Sequence, residues 1–411
     1  MTTICLFEDQ EWRGLLPLTW LHPCWDLATG AHTVLARVRA TFPGAEIRAL
    51  CRPWLAQVVA ERSGLEAPKG QGETLWISGR TVDVSSVAQV AVDTPGPFAL
   101  WNSETLVAFR IEDARHVPAP EHLVEWVRSL GLPRLSCQAR VFRRWWDLIS
   151  LNSEMLAQDL GRFPLGVQEG TVMPGAHLLD PATVYLGHGA EIEPSAVIDS
   201  RPGPVVLDHH AHVGAGSLVV GPAYLGRETL VKPLSHLGPE ISAGPWCRLG
   251  GEIARSIFLG YGNKQHHGFL GHAYVGNWVN LGAGTTNSNL KNTYGPVKVW
   301  VDGRLENSGL TFLGCALGDH AKTAINTVFN TGTVVGVCAN VFLHGFPDKC
   351  VPSFSWGPHK GAFQLDSALA IASRVMARRG VKLTAAEASL LTEVWGLTSP
   401  ERAPAKTGLC D

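Results

Sequence analysis

The chain has 411 residues, 45% of them hydrophobic, with a formal net charge of −2 and a pI near 6.8. That length holds two or three domains with proper cores, and the near-neutral charge gives no electrostatic reason to expect a nucleic acid or an anionic membrane as partner. Nine cysteines, odd in number and without C-x-x-C spacing, suggest reduced thiols rather than a disulfide framework or a zinc cage. The opening "MTTICLFEDQEW" has no basic and apolar leader pattern. No run of about 18 apolar residues follows it, so a soluble, cytoplasmic protein is expected.

Residues 1–165 mix strand-like runs ("VAQVAV", "TLVAFRI") with helix-like ones ("HTVLARVRATF", "PEHLVEWVRSL"), which reads as an α/β domain. Between 175 and 350 the signal changes to a period of six. Aliphatic residues recur at Leu186, Ile192 and Ile198 and, after "SRPGP", at Leu207, Val213, Val219, Leu225, Val231 and Leu237. Neither a helix nor a two-sided strand has that period; short parallel strands wound into a β-helix do, each hexad turning one aliphatic residue inward. The 44 glycines, above the roughly 7% average, suit its many corners. Residues 360–411 read as a helical tail packing on the solenoid end: "DSALAIASRVMARRG" has an apolar helical face, and Thr384 with Glu387 forms a capping box.

The stretch "NKQHHGFLGHAYVGNWVNLGAGTTNSNLKN", residues 263–292, gathers neutral hydrogen-bonding side chains around two histidines. Amide formation from a thioester needs a free amine, a proton acceptor and donors for an oxyanion. Histidine, with a pKa of about 6.5, suits the acceptor. Asparagines orient a substrate without trapping its ammonium in a salt bridge. The competing reading is polar turn chemistry on a Gly-rich scaffold. In "LDHHAHVGAG", His209, His210 and His212 share one coil, but neighbours on a strand point to opposite sides and no carboxylate-supported third ligand follows, so no metal site is expected.

The same stretch resembles hexapeptide acyltransferases of the bifunctional glucosamine-1-phosphate N-acetyltransferase and uridyltransferase type, in which a base histidine precedes an aromatic-Leu-Gly turn and then Asn-[IL]-Gly-Ala-Gly-Thr. "RGLLPLTWLHPCWDLATGAHTVLARV", from Arg13 to Val38, is similar to the R-x-x-P-L-T-x-x-x-P-K-P-L signature of sugar-phosphate nucleotidyltransferases. With "SNLKN" and "VPSFSWG", the two point to the variant bacterial branch of that family. The resemblance implies a Rossmann-like, nucleotidyltransferase-type α/β domain followed by a left-handed parallel β-helix. It also implies acetyl-CoA as cosubstrate, an amino-sugar phosphate (glucosamine 1-phosphate) as acceptor, and UTP with Mg²⁺ if the N-terminal site turns over. A homotrimer with sites between subunits completes the implied picture, with Phe269, Tyr274 and Trp278 expected on the pairing face.

Residue by residue, the resemblance implies His266 as base, with His267 the adjacent alternative, and Phe269 at the family's tyrosine. Asn280 and Asn289 would hold the sugar and the acetyl-bearing region, and Lys264 with Lys291 or Lys298 would face a phosphate. Gly282, Ala283 and Gly284 would let backbone amides approach the cofactor beside Lys322. The family's phosphate-binding arginine is replaced by Gly238, with Arg248 or Arg255 as stand-in. Arg13, Pro17, Thr19, Asp26 and Asn102 remain at the nucleotidyltransferase-like site, but "LFEDQEW" replaces the Gly-rich loop and Cys24 the lysine. The expectation is an N-acetyltransferase with a degenerate nucleotidyltransferase domain. The alternatives are a fully bifunctional enzyme forming UDP-N-acetylglucosamine and a non-catalytic sugar-nucleotide binding protein.

Overall fold

The computed structural model describes residues 3–357 and 361–402, which divide into two compact units. The first gathers the chain up to Ala28, His32–Arg144 and Ala385–Leu390; the second takes Thr29–Ala31, Trp145–Thr384 and the chain from Leu391.

The first unit is built on a mixed sheet of β1 (Thr3–Phe7), β2 (Glu46–Leu50), β3 (Gln71–Ser78), β4 (Phe98–Asn102), β5 (Thr105–Asp113) and β6 (Arg134–Ser136). Their spatial order is β2-β1-β3-β5-β4-β6, parallel around β1 and antiparallel at β5. In β1, Ile4, Cys5, Leu6 and Phe7 are all fully buried, as befits a central strand covered on both faces. Helices α1 (Val34–Thr41), α2 (Ala56–Ser63), α3 (Val84–Asp93) and α4 (Leu123–Ser129) supply the cover. Thr33 caps α1 by accepting from the Ala36 amide, and Gly64 ends α2 with φ of 70°.

The second unit is a parallel β-helix. Each coil crosses three faces, for example Glu252–Ala254 on the first, Ile257–Phe258 on the second and Asn263–Lys264 on the third before Phe269–Gly271 returns to the first. All nine hexad residues from Leu186 to Leu237 are fully buried in one continuous core. At roughly 25 cal/mol per Å² of apolar surface removed from water, that seam is what holds the short strands together. The corners turn through left-handed backbone, which most side chains avoid. Even so, the corner between the second and third faces carries Trp246, Tyr261, Trp278 and His320, with φ from 55° to 62°.

Helix α5 (Trp145–Leu160) belongs with the solenoid by contact, although the sequence reading ends its N-terminal domain at 165. Its Leu156 and Leu160 pack with Tyr185 and Val206 of the second face, and Asn152 bonds Ser242 and the Glu240 carbonyl. Residues 361–402 form the tail: α6 (Leu365–Ala377), α7 (Ala385–Leu397) and α8 (Ser399–Arg402); the rest of the expected 360–411 segment lies outside the described residues. Arg402 donates to the Ser353 carbonyl and lies over the Phe354 and Trp395 rings, tying the tail to the last coils. The eight described cysteines are unbridged, and no described helix is long and apolar enough to cross a membrane.

Candidate functional site

His266 and His267 sit on the corner from the third face to the first, on the turn between Asn263–Lys264 and Phe269–Gly271, and both are exposed. Lys264 is not presented to a substrate as expected. It points inward at 1% exposure, and its ammonium donates to the carbonyls of Gly250, His266 and His267. Burial pushes its pKa down to about 8. Lys264 is therefore the brace of the histidine turn. The ring of His267 lies against Gly284, whose φ of 74° and lack of a side chain are both needed: a Cβ there would come 2.1 Å from Asn326 Oδ1 and 3.3 Å from His267 Nε2. Gly282 donates its amide to Thr323 and Gly284 to the His267 carbonyl, while the Ala283 carbonyl accepts from Asn326. The two glycine amides are spent inside the fold rather than offered to a cofactor.

Across the first face, the Phe269 ring lies over Gly271, where a Cβ would be 2.3 Å from Phe269 Cζ and 2.9 Å from Asn289 Nδ2. Asn289 Nδ2 is 2.9 Å from Nδ1 of His272, a residue that the sequence reading passed over. His272 stacks on Phe312 with ring centroids 5.6 Å apart. Burial first, then the Arg255 charge, push its pKa down to about 4, so the ring is neutral near pH 7. The signal that could have found it is spacing: Arg255, His272 and Asn289 follow one another at steps of 17 residues, one coil each. The Arg255 guanidinium is half exposed, 3.7 Å from Glu240. Gly238 packs on Ala254, so Arg255 stands one coil and one residue from the family's arginine position.

Other candidates fall elsewhere. Asn280 is exposed on the third face, bridged in register to Asn263 on one side and Lys322 on the other. Lys322 donates to the His320 carbonyl, and burial lowers its pKa. Lys291 is held by the Pro296 carbonyl, while Lys298 is exposed on an antiparallel hairpin, Lys298–Val301 with Arg304–Asn307. The expected pairing face is not formed by its three aromatics: Tyr274 is fully buried and Trp278 is stacked 4.0 Å from Tyr261, leaving only Phe269 partly exposed. In "LDHHAHVGAG", His212 is tied to Glu191 and Glu193, and His209 to Asp208.

In the first unit the loop after β1 is closed on itself. Glu8 accepts from the Cys24 amide, the Arg52 amide and the Arg52 guanidinium, with both side chains fully buried. Asp9 accepts from Arg80 and the Glu11 amide. Thr19 is fully buried and donates to the Trp12 carbonyl, and Pro17 is buried, so neither side chain is presented at the surface. Asn102 donates to the Ala139 carbonyl. Arg13 remains exposed, 4.7 Å over Trp12, and burial pushes the Asp26 carboxyl up, partly offset by His22 and Arg62. These groups do not fit an Mg²⁺-nucleotide: Glu8 and Asp9 already serve arginines, and no Gly-rich cradle of amides follows β1.

Residues 4–166 match the sugar nucleotidyl transferase family. A bifunctional sugar-1-phosphate nucleotidylyltransferase/acetyltransferase of Sulfurisphaera tokodaii is 35% identical over 77 residues, which span 19% of this chain and 19% of that protein. Among solved structures, the UDP-N-acetylglucosamine acyltransferase of Francisella novicida aligns at 12% identity over 53% of this chain and 74% of its own, with a TM-score of 0.25. The Arabidopsis UDP-N-acetylglucosamine acyltransferase aligns at 12% identity over 59% and 84%, with a TM-score of 0.18.

Proposed function

We propose that the solenoid transfers an acetyl group from acetyl-CoA to the amine of an amino-sugar phosphate, glucosamine 1-phosphate being the first candidate, and that the N-terminal domain is a nucleotidyltransferase relative with a degenerate site. The observation that carries this reading is the row on the first face: the exposed His266 turn at one edge, and Phe269, Asn289 and Arg255 toward the other. The amine nitrogen attacks the thioester carbonyl and His266 takes its proton. The tetrahedral intermediate then expels the CoA thiolate, which receives the proton back from the imidazolium. With the Gly282 and Gly284 amides engaged, the oxyanion falls to a side-chain amide, Asn280 or Asn289. Arg255 supplies the phosphate fork in place of Gly238; Arg248 lies on the third face with Nη1 bonded to the Glu228 and Cys247 carbonyls.

The same corner exposes Leu234 at 84% and Ile325 at 71%, apolar surface suited to a second copy of the chain, and we place the working site at the edge of a homotrimer. Sedimentation showing a stable, active monomer overturns that assembly. The match over residues 4–166 favours one further reading, a fully bifunctional enzyme that also uses UTP. Mass spectrometry of glucosamine 1-phosphate with acetyl-CoA, with and without UTP, separates the two. Acetylated product alone supports the proposal. Pyrophosphate release abolished by Arg13→Ala promotes the bifunctional reading, and no product in either arm leaves only a binding protein.

A further inference from the structure

On the third face one outward residue per coil is in register: Leu230, Arg248, Asn263, Asn280, Lys322 and Asn340. At about 4.8 Å per rung, Arg248 and Lys322 stand about 14 Å apart with two amides between them. The tail adds a second arginine to the upper end of this ladder. Arg379, two residues past α6, donates through Nη2 to Asn263 Oδ1 at 3.0 Å. Its Nε is buried with no acceptor. Arg248 directs Nη1 to the carbonyls of Glu228 and Cys247, and among the described residues its Nε and Nη2 have no protein acceptor.

Arg379 thus reaches the rung next to Arg248, and two guanidiniums so placed without an acid repel one another, which a fold tolerates where an anion completes the site. Among the described residues no carboxylate lies within ion-pair distance of either; the Glu228 carboxylate, unlike its backbone carbonyl, acts on Arg248 only through space. Burial, then Arg379, lower the pKa of Arg248; burial, then Arg378, lower that of Arg379. The arginines come from two elements; Arg248 keeps its Nε–Nη2 edge for a phosphate, and Arg379, whose Nε is buried, keeps its Nη1–Nη2 end.

We propose that Arg248 and Arg379, beside Asn263, form a binding site for a diphosphate group of a small-molecule ligand, with the C-terminal tail supplying half of it. The site stands whether or not the solenoid transfers acetyl groups, because its test reads binding alone. In calorimetric titration of the full-length protein without divalent metal, inorganic pyrophosphate should bind at least about tenfold more tightly than inorganic phosphate, since two forks engage two phosphates. Arg248→Ala and Arg379→Ala should each weaken pyrophosphate by about tenfold or more, while Arg201→Ala, an exposed arginine paired with Asp199, should leave it unchanged. Should an alanine variant fail to fold, Arg379→Lys decides: it keeps the charge, loses the fork and should bind severalfold more weakly. Failure of the wild type to bind pyrophosphate, equal affinity for the two anions, or binding retained in both alanine variants or in Arg379→Lys overturns the site.

Discussion

The loop after β1 and the turn carrying His266 invite comparison, because both follow a short strand and both are polar, yet they handle their polar groups in opposite ways. In the first, the Glu8 and Asp9 carboxylates are taken up by Arg52 and Arg80 inside the protein, although Arg52 Nη1 and Arg80 Nε stay buried without an acceptor. In the second, one buried lysine holds the backbone carbonyls, which leaves the His266 and His267 side chains facing solvent. A buried network of paired carboxylates and guanidiniums specifies a conformation; an exposed, braced turn is available to a reaction. Polar content alone does not tell the two apart.

The largest expected effect tests the open turn. His266→Ala should lower acetyl transfer by about 10²- to 10⁴-fold with an unchanged thermal midpoint, and His267→Ala should do much less. If the order is reversed, the ring resting on Gly284 is the base and His266 is the bystander.

The closed loop makes the opposite prediction. Glu8→Ala leaves the Arg52 guanidinium buried without its carboxylate, which should cost about 3–5 kcal/mol in denaturant unfolding. Acetyl transfer by the molecules that remain folded should be near normal. A Glu8→Ala protein of wild-type stability would mean that the pair is not structural, and the comparison between the two loops would lose its first half.

The fold was legible because its signal is a long seam of identical events. Each aliphatic residue from Leu186 to Leu237 turns inward, and register cannot slip without exposing all of them. The site was legible only in part. Type and spacing single out His266, Phe269 and Asn289 as candidates, which the fold gathers about one face, yet they do not say whether a side chain points in or out, and Lys264, expected at a phosphate, points inward. Tyr274 and Trp278 were misplaced for a related reason. Coverage of the second face by α5 and stacking at the next corner depend on contacts remote in sequence. His272 was missed because its partners sit one coil away on either side, a relation visible only once the coil length is known.

Lys264 links the two halves of the comparison, being a buried charge placed under an exposed turn. Lys264→Met keeps the volume but strands three carbonyls, which should cost about 3 kcal/mol. Acetyl transfer should fall as well, because the turn loses its brace. A variant with full activity and lower stability would show that the histidines hold their geometry without the lysine.

The smallest effect is a pH dependence that sharpens the same contrast on the first face. His272 has a folded pKa of about 4, below its ordinary value of 6.5, so between those values the unfolded chain binds more protons than the folded one. Its contribution to stability is therefore complete above pH 6.5 and is lost as the pH falls toward 4. The linkage amounts to about 2 kcal/mol between pH 7 and pH 5. His272→Gln keeps a hydrogen-bonding partner for Asn289 but has no proton to gain, so it should be close to wild type at pH 7 in activity and flatten the acid limb of the stability curve. Parallel acid limbs for the two proteins would mean that the His272 ring takes up its proton in the folded state as readily as in the unfolded chain, and that burial and the Arg255 charge do not hold it neutral.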